Sequence, residues 1–301
     1  MRIGISMASS YNVQNPRIGA QYMIERAKAA ADAKLHSLFV GDHHVTPIPY
    51  YQNTPILARA LAHWRAAPAG ALYLLPLRHP VLLAEEIGTL AAIAPDRFIL
   101  QAGLGRADQQ YDAMGVNRQH RPSRFEECLD IMRRLWRGEV VNHQGRWQIE
   151  QAKISPVPDQ PVEVWVAAHA RAAIERAARI GDGWLASPDL APDRAKERLA
   201  IYSEACDQYQ RPVGVKALRR DIFIGATQQQ AEKIVAPIIG QGYRGFPPDA
   251  LIFGDIESVK ECFYQLEEIG YTDIIIRHLV NDQQMVLESL ERLGKLIDSL
   301  A

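Results

Sequence analysis

His36-Ser-Leu-Phe-Val-Gly-Asp-His-His44 decides how this chain reads. A short apolar run (Leu38, Phe39, Val40) is cut by Gly41, and an acid and two imidazoles follow at once: Asp42, His43 and His44. A run this short, closed by a glycine, fits a strand buried on both faces. In a protein built of βα repeats, this is the carboxyl end of a strand, where α/β barrels carry their chemistry. Histidine changes protonation close to neutral pH, and a neighbouring carboxylate raises its pKa or fixes its tautomer. Taken alone, the dyad reads equally well as a polar turn with two histidines.

The rest of the chain repeats the pattern around this stretch. Before it lie a first strand, Ile3–Met7, a polar loop over Asn12–Gly19, and a helix over Ala20–Ala33 with Met23, Ala27, Ala30 and Ala31 at helical spacing. After it comes the loop Val45–Asn53, whose Pro47, Pro49, Tyr50 and Tyr51 suit a semi-rigid pocket wall and equally an ordinary loop. Thr54-Pro55 opens a helix that runs to Trp64, with proline at its favoured start. Strand three is Ala69–Leu75. Its small residues Ala69, Gly70 and Ala71 fit a flat ligand against the backbone, a bulge, or close helix packing. A helix over Val81–Ile93 and strand four, Phe98–Gly103, follow.

Gly103-Leu-Gly-Arg106 lacks the third glycine of a dinucleotide fingerprint, which argues against a Rossmann domain. A long loop then carries Tyr111, Met114, Gly115 and Asn117. Ser123 is expected to cap a helix with the stripe Phe125, Leu129, Met132, Leu135 and Trp136. Residues 139–160 break the rhythm and read as an insertion containing a small hairpin. Strand five, Val162–Ala167, passes through Ala168-His-Ala-Arg171 into a helix over Ala172–Ile180. Free N–H groups and the macrodipole beside an arginine suit a phosphate, though an ordinary solvated helix start has the same composition. Then come strand six (Trp184–Ala186), a polar helix (Pro192–Gln208), strand seven (Val215–Ile224, through Arg219-Arg220) and a helix capped by Thr227. Residues 240–250, rich in Gly and Pro with Tyr243, Arg244 and Phe246, form a candidate mobile loop. A helix over Ile256–Ile269, strand eight (Thr272–Arg277) and a last helix (Asp282–Leu300) close the chain.

Eight strands, nearly all separated by helices, argue an α/β fold with a parallel sheet. In 301 residues this fits a single (β/α)8 TIM-type barrel with insertions, a doubly wound sheet being the alternative. Hydrophobic residues make up 48% of the chain, enough for a large core, and the net charge is −1 with no basic block, so nothing points to nucleic acid or an anionic membrane. No apolar run approaches a membrane span, and the amino terminus reads as a strand rather than a signal peptide. Cys128, Cys206 and Cys262 are far apart, which fits buried thiols in a reducing cytoplasm and no metal site.

Several motifs, in order along the chain, carry a family resemblance. They are Gly41-Asp-His-His44, Leu75-Pro-Leu-Arg-His-Pro80 with Ala84-Glu-Glu-Ile-Gly-Thr-Leu90, Ala94-Pro-Asp-Arg-Phe98, Gln101-Ala-Gly-Leu-Gly105, Tyr111-Asp-Ala-Met-Gly115, Arg124-Phe-Glu-Glu127, Pro161-Val-Glu-Val-Trp-Val-Ala-Ala168 and Ala177-Ala-Arg-Ile-Gly-Asp-Gly-Trp184. With them the chain resembles the bacterial-luciferase-like flavin-dependent oxidoreductases, which include FMN monooxygenases and coenzyme F420-dependent enzymes. The resemblance implies a flavin at the carboxyl ends of the strands. It places His43 on the active-site histidine and Asp42 on an acidic position beside the flavin. Ala71 and Leu72 fall on a strand-three bulge, often a non-prolyl cis peptide, that supports the ring, and Gln101 and Gly103 line the next strand. His169, Ala170 and Arg171 fall on the phosphate-binding helix start. His44, Tyr111 and Arg106 are the substrate-side candidates. The arginine that some luciferase-type members place just after strand four is replaced at Leu104, with Arg106 nearby instead, and the phosphate-contacting serine and threonine positions are Ala170 and Ala173, so anion binding would rest on backbone N–H groups and Arg171.

The implied activity is oxidation of a small organic substrate with reduced FMN and O2, with His43 as acid or base and a separate NAD(P)H:flavin reductase supplying the flavin. The alternative is hydride transfer with F420, whose anionic tail would use Arg106, Arg171 and Arg244. A homodimer is expected, with the helices Ala20–Ala33 and Pro80–Ile93 contributing.

Overall fold

A computed structural model describes all residues but 66, 106, 107 and 301. The expected apolar runs form β1 (Arg2–Met7), β2 (Ser37–Val40), β3 (Ala69–Leu74) and β4 (Phe98–Gly103), with α1 (Pro16–Asp32), α2 (Asn53–Leu61) and α3 (Pro80–Ile93) between them. After α4 (Asp108–Ala113) and α5 (Arg121–Trp136), a hairpin of β5 (Val141–Gln144) and β6 (Gln148–Ala152) precedes β7 (Glu163–Ala168). The second half runs α6 (Arg171–Ile180), β8 (Gly183–Ala186), α7 (Pro192–Gln208), β9 (Val215–Ile224), α8 (Gln228–Gly240), β10 (Leu251–Gly254), α9 (Ile256–Ile269), β11 (Asp273–His278) and α10 (Gln283–Asp298).

Parallel pairing runs β1-β2-β3-β4-β7-β8-β9-β11 and returns to β1, closing a (β/α)8 barrel. β10 is a ninth strand of this sheet. β8 covers only Val215–Leu218 of β9, while β10 pairs with Asp221–Ile224. Because β11 occupies the other edge of β9 as far as Ile222, β10 extends the barrel above the short β8.

The side chains form two layers, as barrel alternation requires. Phe39, Ile99, Trp165, Leu185, Ala217 and Ile275 pack together inside the barrel, and a larger cluster lies between strands and helices. Gly70 allows β3 to approach β4: a Cβ there would overlap the Ile99 carbonyl oxygen. Two residues beyond Ile99, Ala217 and Ile275 on the same faces stand Gln101, Arg219 and Arg277, and two further along β9 stands Asp221, all toward the carboxyl mouth. The helices start where capping chemistry permits. Asn15, Thr227, Asp255 and Asp282 each accept a bond from a first-turn N–H.

Several details differ from the sequence reading. α1 begins at Pro16, inside the expected loop Asn12–Gly19, because Asn15 caps it. β10 and α4 were not expected. α5 begins at Arg121 with Pro122 in its first turn, so Ser123 lies inside the helix and its hydroxyl donates to the His120 carbonyl instead of capping. α2 begins at Asn53, one residue before Thr54, because the Asn53 Oδ1 accepts from the Thr54 N–H.

Candidate active site at the carboxyl end of the barrel

The β2 motif builds a buried polar knot. The Asp42 side chain is fully buried; its Oδ2 accepts from the Leu74 N–H at 2.9 Å, and its Oδ1 lies 3.0 Å from His44 Nε2 and 3.1 Å from an Arg78 nitrogen. Burial acts to raise the Asp42 pKa, but the His44 bond, the Arg78 charge and the Leu74 N–H outweigh it and hold the carboxyl below its usual range. Arg78 also reaches Asn53 Oδ1 at 3.4 Å, and Asn53 Nδ2 donates to the Leu72 carbonyl at 2.6 Å. The knot therefore ties the carboxyl ends of β2 and β3 to α2. Gly41 is explained by packing: a Cβ would stand 2.9 Å from the Tyr50 hydroxyl.

His43 faces a different environment. Its Nδ1 lies 2.8 Å from Gln110 Nε2, and its ring meets that of Tyr50 edge-on at 5.8 Å. The Gln110 carbonyl oxygen faces the His44 N–H at 3.4 Å. A backbone N–H can only donate, which turns the Gln110 NH2 toward His43. His43 Nδ1 is then an acceptor, and the proton sits on Nε2. Burial, helped by the His44 charge and opposed by Asp42, lowers the His43 pKa, so the ring is neutral at neutral pH.

The flavin-side candidates spread over three strands and one helix start. Gln101 is 3% exposed and faces the interior, and its Nε2 has no hydrogen-bond partner among the described residues. A buried amide donor without a partner is costly, and fits a ligand that carries acceptors. Leu72 pairs in register with Gln101, and its side chain lies beside Gly103. The expected bulge is absent: β3 pairs with β4 without a break from Ala69 to Leu74, and the only cis peptide among the described residues is Ser155–Pro156. Ala71 faces the helices, which leaves the interior to Leu72. At the start of α6, Ala170 occupies the cap position without a capping side chain, so the Arg171 and Ala172 N–H groups have no side-chain cap, while the Ala173 N–H donates to the Ala170 carbonyl. Arg171 is exposed and lies 3.5 Å from Glu175, and His169 Nδ1 is 3.7 Å from Asp189.

Tyr111 is fully buried on α4, and its hydroxyl donates to the Leu104 carbonyl. Arg106 lies outside the described residues. Among the described residues no group of three or more His, Cys, Asp or Glu could hold a metal, and no helix is long and apolar enough to cross a membrane. A cavity of about 600 Å³ lies at the opposite, amino end of the barrel, between Arg2, Trp64, Arg97 and Trp165.

Sequence reasoning missed the partners. Gln110 sets the state of His43, and Arg78 and Asn53 complete the Asp42 knot; Tyr50, which the sequence placed in a candidate pocket wall, meets the His43 ring. Arg78 lay within a quoted motif but was given no role there. On β9, Asp221 is fully buried and accepts from Arg219 (3.0 Å), Arg244 (2.9 Å) and Tyr243 (2.8 Å). Thus the segment of residues 240–250 folds over the mouth of the barrel. Burial and neighbouring guanidiniums, partly offset by Asp221, lower Arg219 to about 10, which leaves it charged.

The carboxyl mouth of a closed (β/α)8 barrel thus carries a neutral histidine and an interior amide without a hydrogen-bond partner among the described residues. The luciferase-like monooxygenase family matches residues 1–276, and the chain belongs to that family. An uncharacterised protein of Mycobacterium tuberculosis is 39% identical over 112 residues, covering 37% of this chain and 38% of its own length. An F420-dependent glucose-6-phosphate dehydrogenase of Tsukamurella paurometabola is 29% identical over 205 residues, covering 63% and 60%. The matches thus span less than two thirds of these curated relatives. Two solved structures share the fold. The oxygenating constituent of 3,6-diketocamphane monooxygenase from Pseudomonas putida, in complex with FMN, has a TM-score of 0.83 at 20% identity over 99% of this chain and 97% of that one. An F420-dependent secondary alcohol dehydrogenase in complex with an F420–acetone adduct has a TM-score of 0.81 at 17% identity over 100% and 99%.

Proposed function

We propose that this protein is a monooxygenase that uses reduced FMN and O2 to oxidise a small organic substrate at the carboxyl mouth of the barrel. The observation that carries this reading is the His43–Gln110 pair. It leaves a neutral imidazole with its proton on Nε2, free to be lent to a developing oxyanion or exchanged with a substrate. When bound, reduced FMN supplies the electrons that activate O2. The chain does the rest. Gln101, Leu72 and Gly103 would hold the ring system, with the Gln101 amide as a donor to it, and backbone N–H groups at the start of α6 with Arg171 would hold the phosphate. Asp42 acts through its knot with His44 and Arg78 by fixing the β2 end that carries His43. Tyr50 meets the imidazole edge-on and leaves the rest of it open at the mouth. The reduced flavin comes from a separate reductase, and the protein works as a cytoplasmic homodimer.

A second reading is hydride transfer to or from F420. It is favoured by the Tsukamurella relative and by Asp42, an acid also common at this position in F420 enzymes. Anaerobic fluorescence titrations with FMN, FMNH2 and F420 separate the two. Preferential FMNH2 binding, followed by substrate-dependent oxygen uptake, is the expected result. Tight F420 binding without FMNH2 binding replaces the first reading by the second.

A further inference from the structure

The mouth of the barrel carries more positive charge than its own acids neutralise. Ala217 and Ile275 belong to the interior cluster, so Arg219, Asp221 and Arg277 project from the same face of β9 and β11. The register sets Arg277 directly beside Asp221, and Ile275 beside Arg219. Arg244 reaches the same carboxylate from the segment that folds over the mouth. Two guanidiniums, Arg219 and Arg244, and the Tyr243 hydroxyl saturate that carboxylate, and Arg277 stands beside it as a third cation. Arg277 makes no hydrogen bond or ion pair within 4 Å among the described residues, although its charge acts on Asp221, Arg219 and Tyr50. A partly buried guanidinium without a partner, beside two others, is an arrangement that an anion completes.

Position identifies the part of the ligand involved. β11 and β2 are separated only by β1, so Arg277 stands two strand spacings, roughly 10 Å, from the His43 strand. The expected phosphate position at the start of α6 follows β7, two strands beyond β9 on the other side. We propose that Arg277 and Arg219, with Arg244 closing from above, form an anion subsite for the substrate. The substrate is then an organic acid whose carboxylate, or an equivalent anionic group, lies a few carbon atoms from the reacting centre. This rests on the reading of the His43 end as the place of reaction.

The test uses 4-phenylbutyrate, its neutral analogue 4-phenyl-1-butanol and inorganic sulfate as probes, titrated into cofactor-free protein by calorimetry. The wild type should bind the acid at least tenfold more tightly than the alcohol, with sulfate competing. Arg277→Gln should erase that preference, and Arg244→Gln should reduce it. Melting curves check folding, and FMN affinity should stay within twofold in both variants. Equal affinity for acid and alcohol in the wild type, no binding of acid or sulfate, or a preference that survives Arg277→Gln overturns the subsite. If Arg277→Gln weakens F420 binding and leaves the acid untouched, the anion is the cofactor's tail, and the substrate assignment falls. Failure of the wild type to bind any flavin or F420 would remove the functional reading, while the acid–alcohol comparison still decides the subsite.

Discussion

Gln110 Nε2 lies 2.8 Å from His43 Nδ1, across 67 positions of sequence. That contact fixes the tautomer of the ring and favours its neutral form, because a donor at Nδ1 opposes protonation there. His43→Ala should lower turnover with saturating reduced cofactor by about 10²–10⁴-fold. Gln110→Leu keeps the imidazole but frees its orientation. Steady-state kinetics should then show a loss of up to about 10²-fold, with the acidic limb of the kcat/KM profile moved to higher pH. An unmoved limb would mean that Gln110 does not control the ring.

The Asp42 knot is a stability element with a defined pH signature. Asn at position 42 keeps the shape but leaves Arg78 without its buried counter-charge, a change that costs about 3–5 kcal/mol when one member of a buried pair is removed. The folded-state pKa of Asp42 is below its ordinary value. Its stabilisation is therefore complete above the ordinary carboxylate range and is lost as pH falls through the folded value. Urea unfolding should show a large gap between wild type and Asp42→Asn at pH 7 that narrows steadily below pH 4. A gap constant with pH would assign the loss to packing rather than charge.

Barrel closure at β3 depends on the absence of a side chain at one point. A Cβ at Gly70 meets the backbone carbonyl of Ile99, which no rotamer change can relieve. Gly70→Ala should cost at least about 3 kcal/mol, the upper part of the range for overpacking. Gly240, at the end of α8, has nothing within 4 Å of its built Cβ, so Gly240→Ala should be neutral or stabilise by up to about 1 kcal/mol. Denaturant midpoints of the pair distinguish steric from conformational roles for glycine here.

The barrel was legible because most of its strands hold a short apolar run bounded by turn residues. The limits of α7, β9 and α9 match the residues expected, since Pro192 and Asp255 mark the two helix starts and polar turns bound the strand. β10 was not legible. Leu251–Gly254 is four residues long and forms a strand only because β8 stops short and leaves an edge of β9 open, which is a tertiary fact. α4 was taken for loop because its six residues carry little apolar pattern. In the site, the local motif pointed to His43 and Asp42 at once. Their partners Gln110, Arg78 and Asn53 come from separate elements, and no spacing in the sequence pairs them. Arg277 read as the polar end of a strand, and only the barrel's closure sets it beside Asp221.

His278 should govern part of the acid sensitivity of the fold. It ends β11, is 8% exposed, and its Nε2 has no hydrogen-bond partner among the described residues. Burial, reinforced by the charge of Arg26 and only partly opposed by Asp221, lowers its pKa to about 3. The unfolded chain binds this proton near the ordinary histidine value, so the folded state loses stability as pH falls from about 6.5 toward 3. The total is at most about 5 kcal/mol, and about 2 kcal/mol of it falls between pH 6.5 and pH 5. His278→Leu removes the titration and leaves an apolar side chain of similar size. Its stability at pH 8 should stay within about 1.5 kcal/mol of the wild type, and its loss between pH 8 and pH 5 should be smaller by about 2 kcal/mol. Parallel pH profiles for the two proteins would show that the imidazole is already solvated in the folded state and that Arg26 does not hold it neutral.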